Sequence, residues 1–350
     1  EPDMSKKKLR VGFIGAGGIA RSQMNILKEF PDVDLVAASD VNEEALGKCR
    51  TDMGVANVYT DWKAMLKREE LQAVSVCTPN GLHMRPTIDA LKAGCHVMVE
   101  KPLAMNAREG QKMLEAAEAA KRHLIIAFQW RFHPKAQLIK KMADNGAFGD
   151  VLFVRCQALR RRGIPNWGVF GRKELQGGGP MIDIGVHIME MAHYVMGSPR
   201  PVAATGNTFR YIGDKPCDVA CNWPDWDHKT YTVEDLAVGH VRFENGAIMH
   251  VESSFAAHVQ NAFTFQLIGT KGGAEFDPLV IRTDENGYMM DKTPAYVPDH
   301  RCFNIKMRHF VDTVLHGKPT EAPAEAGQLV QKMIDGIYAS ADKGKEVAIL

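Results

Sequence analysis

Leu9–Gly15 (LRVGFIG) is a short apolar run ending in glycine, the pattern of a strand buried on both faces. Met24, Leu27 and Phe30 then recur at helical spacing and predict a helix over 20–30. The rhythm continues. Strands are predicted at 34–40, 73–78, 95–99 and 124–128, and helices at 42–53, 60–67, 84–93 and 107–121. Strands alternating with helices predict an α/β chain that begins with a doubly wound parallel sheet.

After Arg131 the pattern changes. A helix is predicted at 134–143, an alternating strand at 151–159, a basic glycine-rich loop at 160–179 and a long apolar helix at 181–196. Between 201 and 283 several strand-like runs follow one another, punctuated by Gly246, Gly269, Gly272 and Gly273. Strands without helices between them predict one large, mostly antiparallel open sheet. Helices at 305–316 and 324–341 close the chain. The expected division is a first domain over 4–126 and a second α/β domain over 127–350.

A length of 350 residues suits two domains. The net charge of +1 weighs against nucleic-acid binding as the main task. No stretch approaches the ~20 apolar residues of a membrane span. EPDMSKKK, ahead of Leu9, has no apolar run, so no secretory signal is expected and Met4 reads as the natural start. Seven cysteines, an odd number without a CxxC, point to reduced thiols in a cytoplasm. Cys217 and Cys221, near His228, lack the paired spacing of a zinc site, and no metal is expected.

Gly15-Ala16-Gly17-Gly18-Ile19-Ala20 fits G-x-G-x-x-A, follows the first predicted strand and opens the first helix. Gly15 allows the tight turn, and Gly17 lets a pyrophosphate approach the backbone. Gly18 and Ile19 begin the helix whose N–H groups face the phosphates, and small Ala20 permits close helix–strand packing. Asp40 ends the second predicted strand, where its carboxylate would accept the adenosine ribose hydroxyls and repel a 2′-phosphate. No Arg or Lys follows before Lys48. The cofactor expected is therefore NAD rather than NADP, in a Rossmann domain. The competing reading is a structural turn with a helix-capping Asp.

Three further segments stand behind this loop in order: Thr78-Pro79-Asn80-Gly81-Leu82-His83, Glu100-Lys101-Pro102, and Gly177-Gly178-Gly179-Pro180-Met181-Ile182-Asp183-Ile184-Gly185-Val186-His187. Together they resemble the Gfo/Idh/MocA oxidoreductases, a family named for glucose–fructose oxidoreductase and inositol dehydrogenase. The resemblance runs from Val11 to the last helix. It implies a Rossmann domain followed by an α/β domain. The open sheet of the second covers the active site on one face and mediates homo-oligomerisation on the other. It further implies that Glu100-Lys101-Pro102 lies at the nicotinamide, with a cis Lys101–Pro102 bond expected from the tight turn. Lys101, Asp183 and His187 are implied as the catalytic group, and Gln129 and Arg131 as contacts to cofactor or substrate. Glu190 stands where the family often has Asp.

The residues suit hydride transfer. Oxidising a secondary alcohol requires a base that titrates near neutrality, as histidine does. Asp183 and His187 are four apart on a predicted helix and share a face. Lys101 follows a strand at the sheet's carboxyl edge, where its ammonium could stabilise a developing alkoxide. Alternatively, His187 is a core histidine satisfied by Asp183. Thr78, Asn80 and His83 follow the third predicted strand at the same edge and are expected at the cofactor, although His83 could simply cap the next helix. Arg131 could equally form a salt bridge between domains.

Arg160-Arg161-Arg162-Gly163-Ile164-Pro165-Asn166-Trp167 precedes the candidate catalytic helix. Arg162, Asn166 and Trp167 are expected to contact substrate together with Lys101, Asp183 and His187. Asn222-Trp223-Pro224-Asp225-Trp226-Asp227-His228 offers two further tryptophans for a carbohydrate or an aromatic aglycone, or for an oligomer contact. The expected substrate is a sugar, cyclitol or glycoside. The Arg160–Trp167 loop resembles members that oxidise a ring hydroxyl of intact glycosides, often at C3. Two alternatives remain open: a glycosidase that uses NAD for transient oxidation and elimination, and a non-catalytic sugar sensor.

Overall fold

The structure is a computed structural model that describes residues 8–299 and 301–349. Residues 4–7, at the expected start of the first domain, lie outside the described residues. The chain divides into two compact units. The first runs to Gln129 and includes 301–327; the second comprises 130–300 and 328–350.

In the first unit, β1 (Leu9–Ile14), α1 (Gly18–Leu27), β2 (Val33–Ser39), α2 (Glu43–Met53), β3 (Asn57–Tyr59), α3 (Trp62–Arg68), β4 (Ala73–Val76), α4 (Met84–Lys92), β5 (His96–Val99), α5 (Ala107–Ala120) and β6 (Leu124–Ile126) alternate as the pattern predicts. The six strands pair in the order β3-β2-β1-β4-β5-β6, every pair parallel. β4 is buried along its whole length, as a central strand covered on both faces must be. Local chemistry sets the helix ends. Asn42 and Asn106 accept from the backbone N–H of Ala45 and Glu109 at 3.1 and 3.0 Å, and Gly54, at φ 74°, ends α2. The strand order reverses between β1 and β4, so the loops leaving these strands and β5 bound the crevice where doubly wound sheets bind ligands.

The second unit contains α6 (Pro134–Asp144), β7 (Val151–Leu159), α7 (Lys173–Gln176), α8 (Val186–Val195), β8 (Pro201–Phe209), β9 (Leu236–Phe243), β10 (Ile248–Ser254), β11 (Ala262–Gly269), β12 (Gly272–Glu275), β13 (Val280–Glu285) and β14 (Tyr288–Lys292). With β15 (Val347–Ala348) these strands form a nine-stranded sheet, β14-β13-β12-β11-β7-β10-β9-β8-β15. Only the β7–β10 pair is parallel. α8 packs on β7 and β11. The alternation in β9 shows the two faces: Ala237, Gly239 and Val241 are buried, while His240 and Arg242 are exposed. The open face carries a polar row in which Glu252 takes Arg155 at 2.9 Å and His250 at 3.2 Å.

One expectation about organisation is corrected. The second domain is not continuous to the C-terminus, because 301–327 belong to the first unit. α9 (Cys302–His316) buries Met307, Phe310 and Val311, packs on α1, and sends Arg308 to both carboxylate oxygens of Asp32 at 2.8 Å. Ile126 N–H then donates to Ala322 O at 3.0 Å, holding the returning chain at β6. The division within α10 (Ala324–Lys343) follows Gly327.

Candidate active site

The glycine loop fills the turn between β1 and α1. Gly15 adopts φ +94°, and a Cβ there would lie 2.6 Å from the Cys77 carbonyl, so both conformation and space demand glycine. At Gly17 and Gly18 a Cβ would meet nothing within 4 Å, leaving an open approach to the backbone. Gly17 caps α1 without a side chain, the first turn holds no acid, and Ile19 is 36% exposed. A helix start of this kind suits an anion. Asp40 has a task the sequence did not reveal: its carboxylate accepts from Ala16 N–H at 2.7 Å and Asn42 N–H at 2.9 Å, tying the glycine loop to the end of β2.

The loops after β4 and β5 meet at His83. The helix-capping alternative for the His83 side chain is corrected. His83 makes no side-chain cap, is fully buried, and sets Nδ1 2.8 Å from Pro102 O and Nε2 2.9 Å from Thr78 O. It therefore sits between the Thr78 and Lys101-Pro102 segments; burial pushes its pKa down, and the neutral ring donates to one of the two carbonyls at a time. Asn80 opens the short turn Asn80–Leu82, and Thr78 Oγ1 donates to Leu82 O at 3.0 Å. The Lys101–Pro102 bond is cis. Glu100 is buried and accepts from Gln23 at 2.7 Å and Lys306 at 3.3 Å, with Lys101 N–H at 3.2 Å from its second oxygen. Its carboxylate is thus engaged inside the first unit, where it helps position Lys101. Lys101 itself is half-buried, and Gln129 is buried at the end of this unit.

In the second unit a π-turn over Met181–Gly185 leads into α8. Such turns cluster at functional sites. From Met181 to His193 every residue is buried except Asp183 and His187, which are half-buried. The apolar sequence drives the segment into the core and leaves these two polar groups at its accessible side. Glu234 holds the turn in place. Its buried carboxylate accepts from Gly179 N–H at 2.9 Å, Met181 N–H at 3.3 Å and Tyr338 O–H at 2.7 Å. A Cβ at Gly178 would lie 2.1 Å from Tyr338 Oη, and one at Gly179 would lie 2.5 Å from Glu234 O, so the glycine run permits this close approach. Nothing in the spacing of Glu234 and Tyr338 relative to Asp183 could have signalled the arrangement.

Arg131 is corrected as well. Its guanidinium is buried, donates to Glu190 Oε2 at 2.8 Å and lies 4.8 Å from the Tyr194 ring centroid. The Arg131–Glu190 pair lies within the second unit and does not bridge the domains. Burial outweighs the guanidinium and raises the Glu190 pKa. Among the expected substrate contacts, Arg162 lies 3.3 Å from His258 Nε2, and Asn166 and Trp167 are exposed. Trp167 meets Trp223 edge to face at 4.8 Å. Trp226, in contrast, is buried and donates to Gly213 O at 2.8 Å, so it belongs to the core. Arg160, not among the expected contacts, feels the charge of Asp183 while burial lowers its own pKa. Cys217 and Cys221 sit 3.8 Å apart as thiols. Among the described residues no cluster of three or more His, Cys, Asp or Glu could hold a metal ion, and no helix is long and apolar enough to cross a membrane.

Comparison with known proteins turns this geometry into a family. The description "Oxidoreductase family, NAD-binding Rossmann fold" matches residues 9–128, and "GFO/IDH/MocA C-terminal domain" matches 136–275. The chain belongs to the Gfo/Idh/MocA oxidoreductase family. A D-glucoside 3-dehydrogenase of Escherichia coli (strain K12) is 37% identical over 351 residues, covering 99% of each chain. An inositol 2-dehydrogenase/D-chiro-inositol 3-dehydrogenase of Halalkalibacterium halodurans is 34% identical over 97% of this chain and 92% of its own. A solved levoglucosan dehydrogenase in complex with NADH and levoglucosan superposes with a TM-score of 0.85 at 25% identity, covering 98% of this chain and 100% of that one.

Membership of the Gfo/Idh/MocA family makes the protein an NAD-binding oxidoreductase, and the open cradle at Gly17 and Gly18 fits the cofactor's pyrophosphate. Two measurable consequences follow from this site. NAD is expected to bind at least ~10-fold more tightly than NADP, a difference of ~1.4 kcal/mol, and Asp40→Ser should narrow the gap. Titration of the unmodified protein giving equal affinities would contradict the role of Asp40. Glu234→Ala strips the acceptor from two backbone N–H groups and a phenol. With ~1–3 kcal/mol for a buried polar group left unsatisfied, thermal denaturation should show a loss of about 2–3 kcal/mol. A melting curve unchanged from wild type would remove Glu234 from its positioning role.

Proposed function

We propose that this protein oxidises a secondary ring hydroxyl, at C3 of an intact glycoside, by hydride transfer to NAD. The carrying observation is the pair of half-buried polar groups, Asp183 and His187, on an otherwise buried turn and helix. The names of the relatives, a glucoside 3-dehydrogenase, inositol dehydrogenases and levoglucosan dehydrogenase, support a sugar or cyclitol substrate class.

NAD, when bound, supplies the nicotinamide that accepts the hydride. His187 takes the hydroxyl proton as general base. Lys101 offsets the negative charge that develops on the alcohol oxygen, and Asp183 orients His187 or holds a neighbouring hydroxyl. His83 and Glu100 fix the segment that carries Lys101, through the hydrogen bonds to Pro102 O and from Lys101 N–H. Glu234 fixes the turn that carries Asp183. Thr78 and Asn80 lie on the loop after β4 and Gln129 follows β6, and we assign all three to cofactor contacts; Arg162 and Asn166 we assign to substrate.

The protein acts in the cytoplasm as a homo-oligomer assembled through the open sheet face, without nucleic-acid partners. Incubation with NAD and a panel of sugars, cyclitols and glycosides tests the reaction, with absorbance of reduced cofactor and product identity as readouts. Stoichiometric NADH with a 3-keto glycoside is the expected result. A redox-neutral cleavage of the glycosidic bond, or no NADH with any pyranoside or cyclitol, would sink this reading.

A further inference from the structure

We propose that Trp167 and Trp223 form an aglycone subsite that selects glycosides bearing a planar, apolar aglycone over free sugars. The inference rests on the glycoside-oxidation reading and adds the part of the substrate that lies beyond the oxidised ring. Two tryptophans at a protein surface expose large apolar area, which is unfavourable unless something covers it. Trp167 is 50% exposed and Trp223 is half-buried. Their ring centroids lie 4.8 Å apart at an interplanar angle of 88°, so the two rings make a right-angled corner. A flat ring laid on one wall meets the other with its edge, and both arrangements are favourable for aromatic groups. Phe170 backs Trp167 at 6.1 Å.

The corner is built rather than incidental, because the two loops that carry it are tied together. Lys173 N–H donates to Thr232 Oγ1 at 2.9 Å, and Thr232 N–H donates to Gly171 O at 2.8 Å. The loop of Trp223 is anchored by buried Trp226, and by Asp235, which accepts from the backbone N–H of Tyr211, Ile212 and Gly213.

Arg160 connects the corner to the proposed catalytic carboxylate. Its guanidinium lies 5.5 Å from the Trp223 ring centroid and 5.7 Å from that of Phe255, and donates to Gly163 O at 3.0 Å. The same guanidinium is close enough to Asp183 to feel its charge. Arg160 thus packs on Trp223 and senses the charge of Asp183. A pyranoside whose C3 hydroxyl is handled at Asp183 carries its aglycone on C1, two carbons round the ring, and it is this aglycone that the corner would receive. A free sugar leaves the corner wet.

Steady-state kinetics with NAD should compare phenyl β-D-glucoside, methyl β-D-glucoside and glucose. The phenyl glucoside is expected to have a kcat/KM about tenfold above that of the methyl glucoside, carried mainly in KM. Trp223→Ala and Trp167→Ala should each shrink that ratio towards one, whereas Trp223→Phe should restore most of it. Quenching of tryptophan fluorescence by 4-nitrophenyl β-D-glucoside should weaken in parallel. Equal kcat/KM for phenyl and methyl glucosides, or a ratio untouched by both alanine variants, would overturn the subsite and leave the oxidation reading standing. Should no pyranoside reduce NAD, the oxidation reading fails by itself. The subsite is then decided by binding of phenyl β-D-glucoside, where equal affinity in wild type and the alanine variants, or none in either, overturns it.

Discussion

Replacing His187 by Ala is expected to lower kcat by about 10²–10⁴-fold, the usual contribution of a general base, while NAD affinity stays nearly unchanged. The reason lies in the separation of tasks along the chain. The glycine loop, Asp40 and α1 belong to the first unit, whereas His187 belongs to α8 in the second. Lys101→Ala should be at least as severe, because the alcohol oxygen would then develop charge without a cation beside it. Combining the His187, Lys101 and Asp183 changes should not multiply the losses, since groups that act as a unit are non-additive. Stopped-flow NADH formation together with NAD titration separates the two effects. A His187→Ala enzyme that keeps most of its turnover removes His187 as the base, and Lys101 is then tested through its pH–rate profile.

Glu190→Ala is expected to destabilise the second unit by about 3–5 kcal/mol, the usual consequence of removing one partner of a buried ion pair. Glu190 and Arg131 expose 0% and 3% of their side chains and meet at 2.8 Å. Removing the carboxylate leaves the Arg131 guanidinium buried against Tyr194 without a counter-charge. Apolar replacement of both partners, Arg131→Met with Glu190→Met, should recover most of the loss, because neither charge then remains to be desolvated. Denaturant unfolding, followed by a probe within the second unit, measures both variants. A single variant within ~1 kcal/mol of wild type, the range of ordinary point mutations, would show that the pair is not holding α8.

Local pattern carried the first unit almost entirely. Its central strands are covered on both faces and so read as short continuous apolar runs between capped helices. β3 escaped because it is three residues long, starts at the polar Asn57 and lies at the sheet edge. β14 escaped because all five of its residues are exposed, which leaves no alternation to read. Glu190 preserves the charge common at its position in the family, and its carboxylate pairs with Arg131.

The sequence by itself determined the α/β rhythm, the glycine turn of the NAD-binding domain and the identity of the half-buried polar groups, Asp183 and His187, on their turn and helix. Those features depend on contacts between near neighbours, where spacing of apolar residues, glycine conformation and helix periodicity are sufficient. Tertiary structure alone decided that 301–327 return to the first unit, that His83 sits between two loops, that Glu234 and Tyr338 pin the turn of Asp183, and that Trp226 is core while Trp167 and Trp223 form a corner. Each of these joins residues far apart in the chain. An amphipathic helix or a polar side chain announces that it needs a partner, but only the folded chain brings a particular partner within hydrogen-bonding or packing distance.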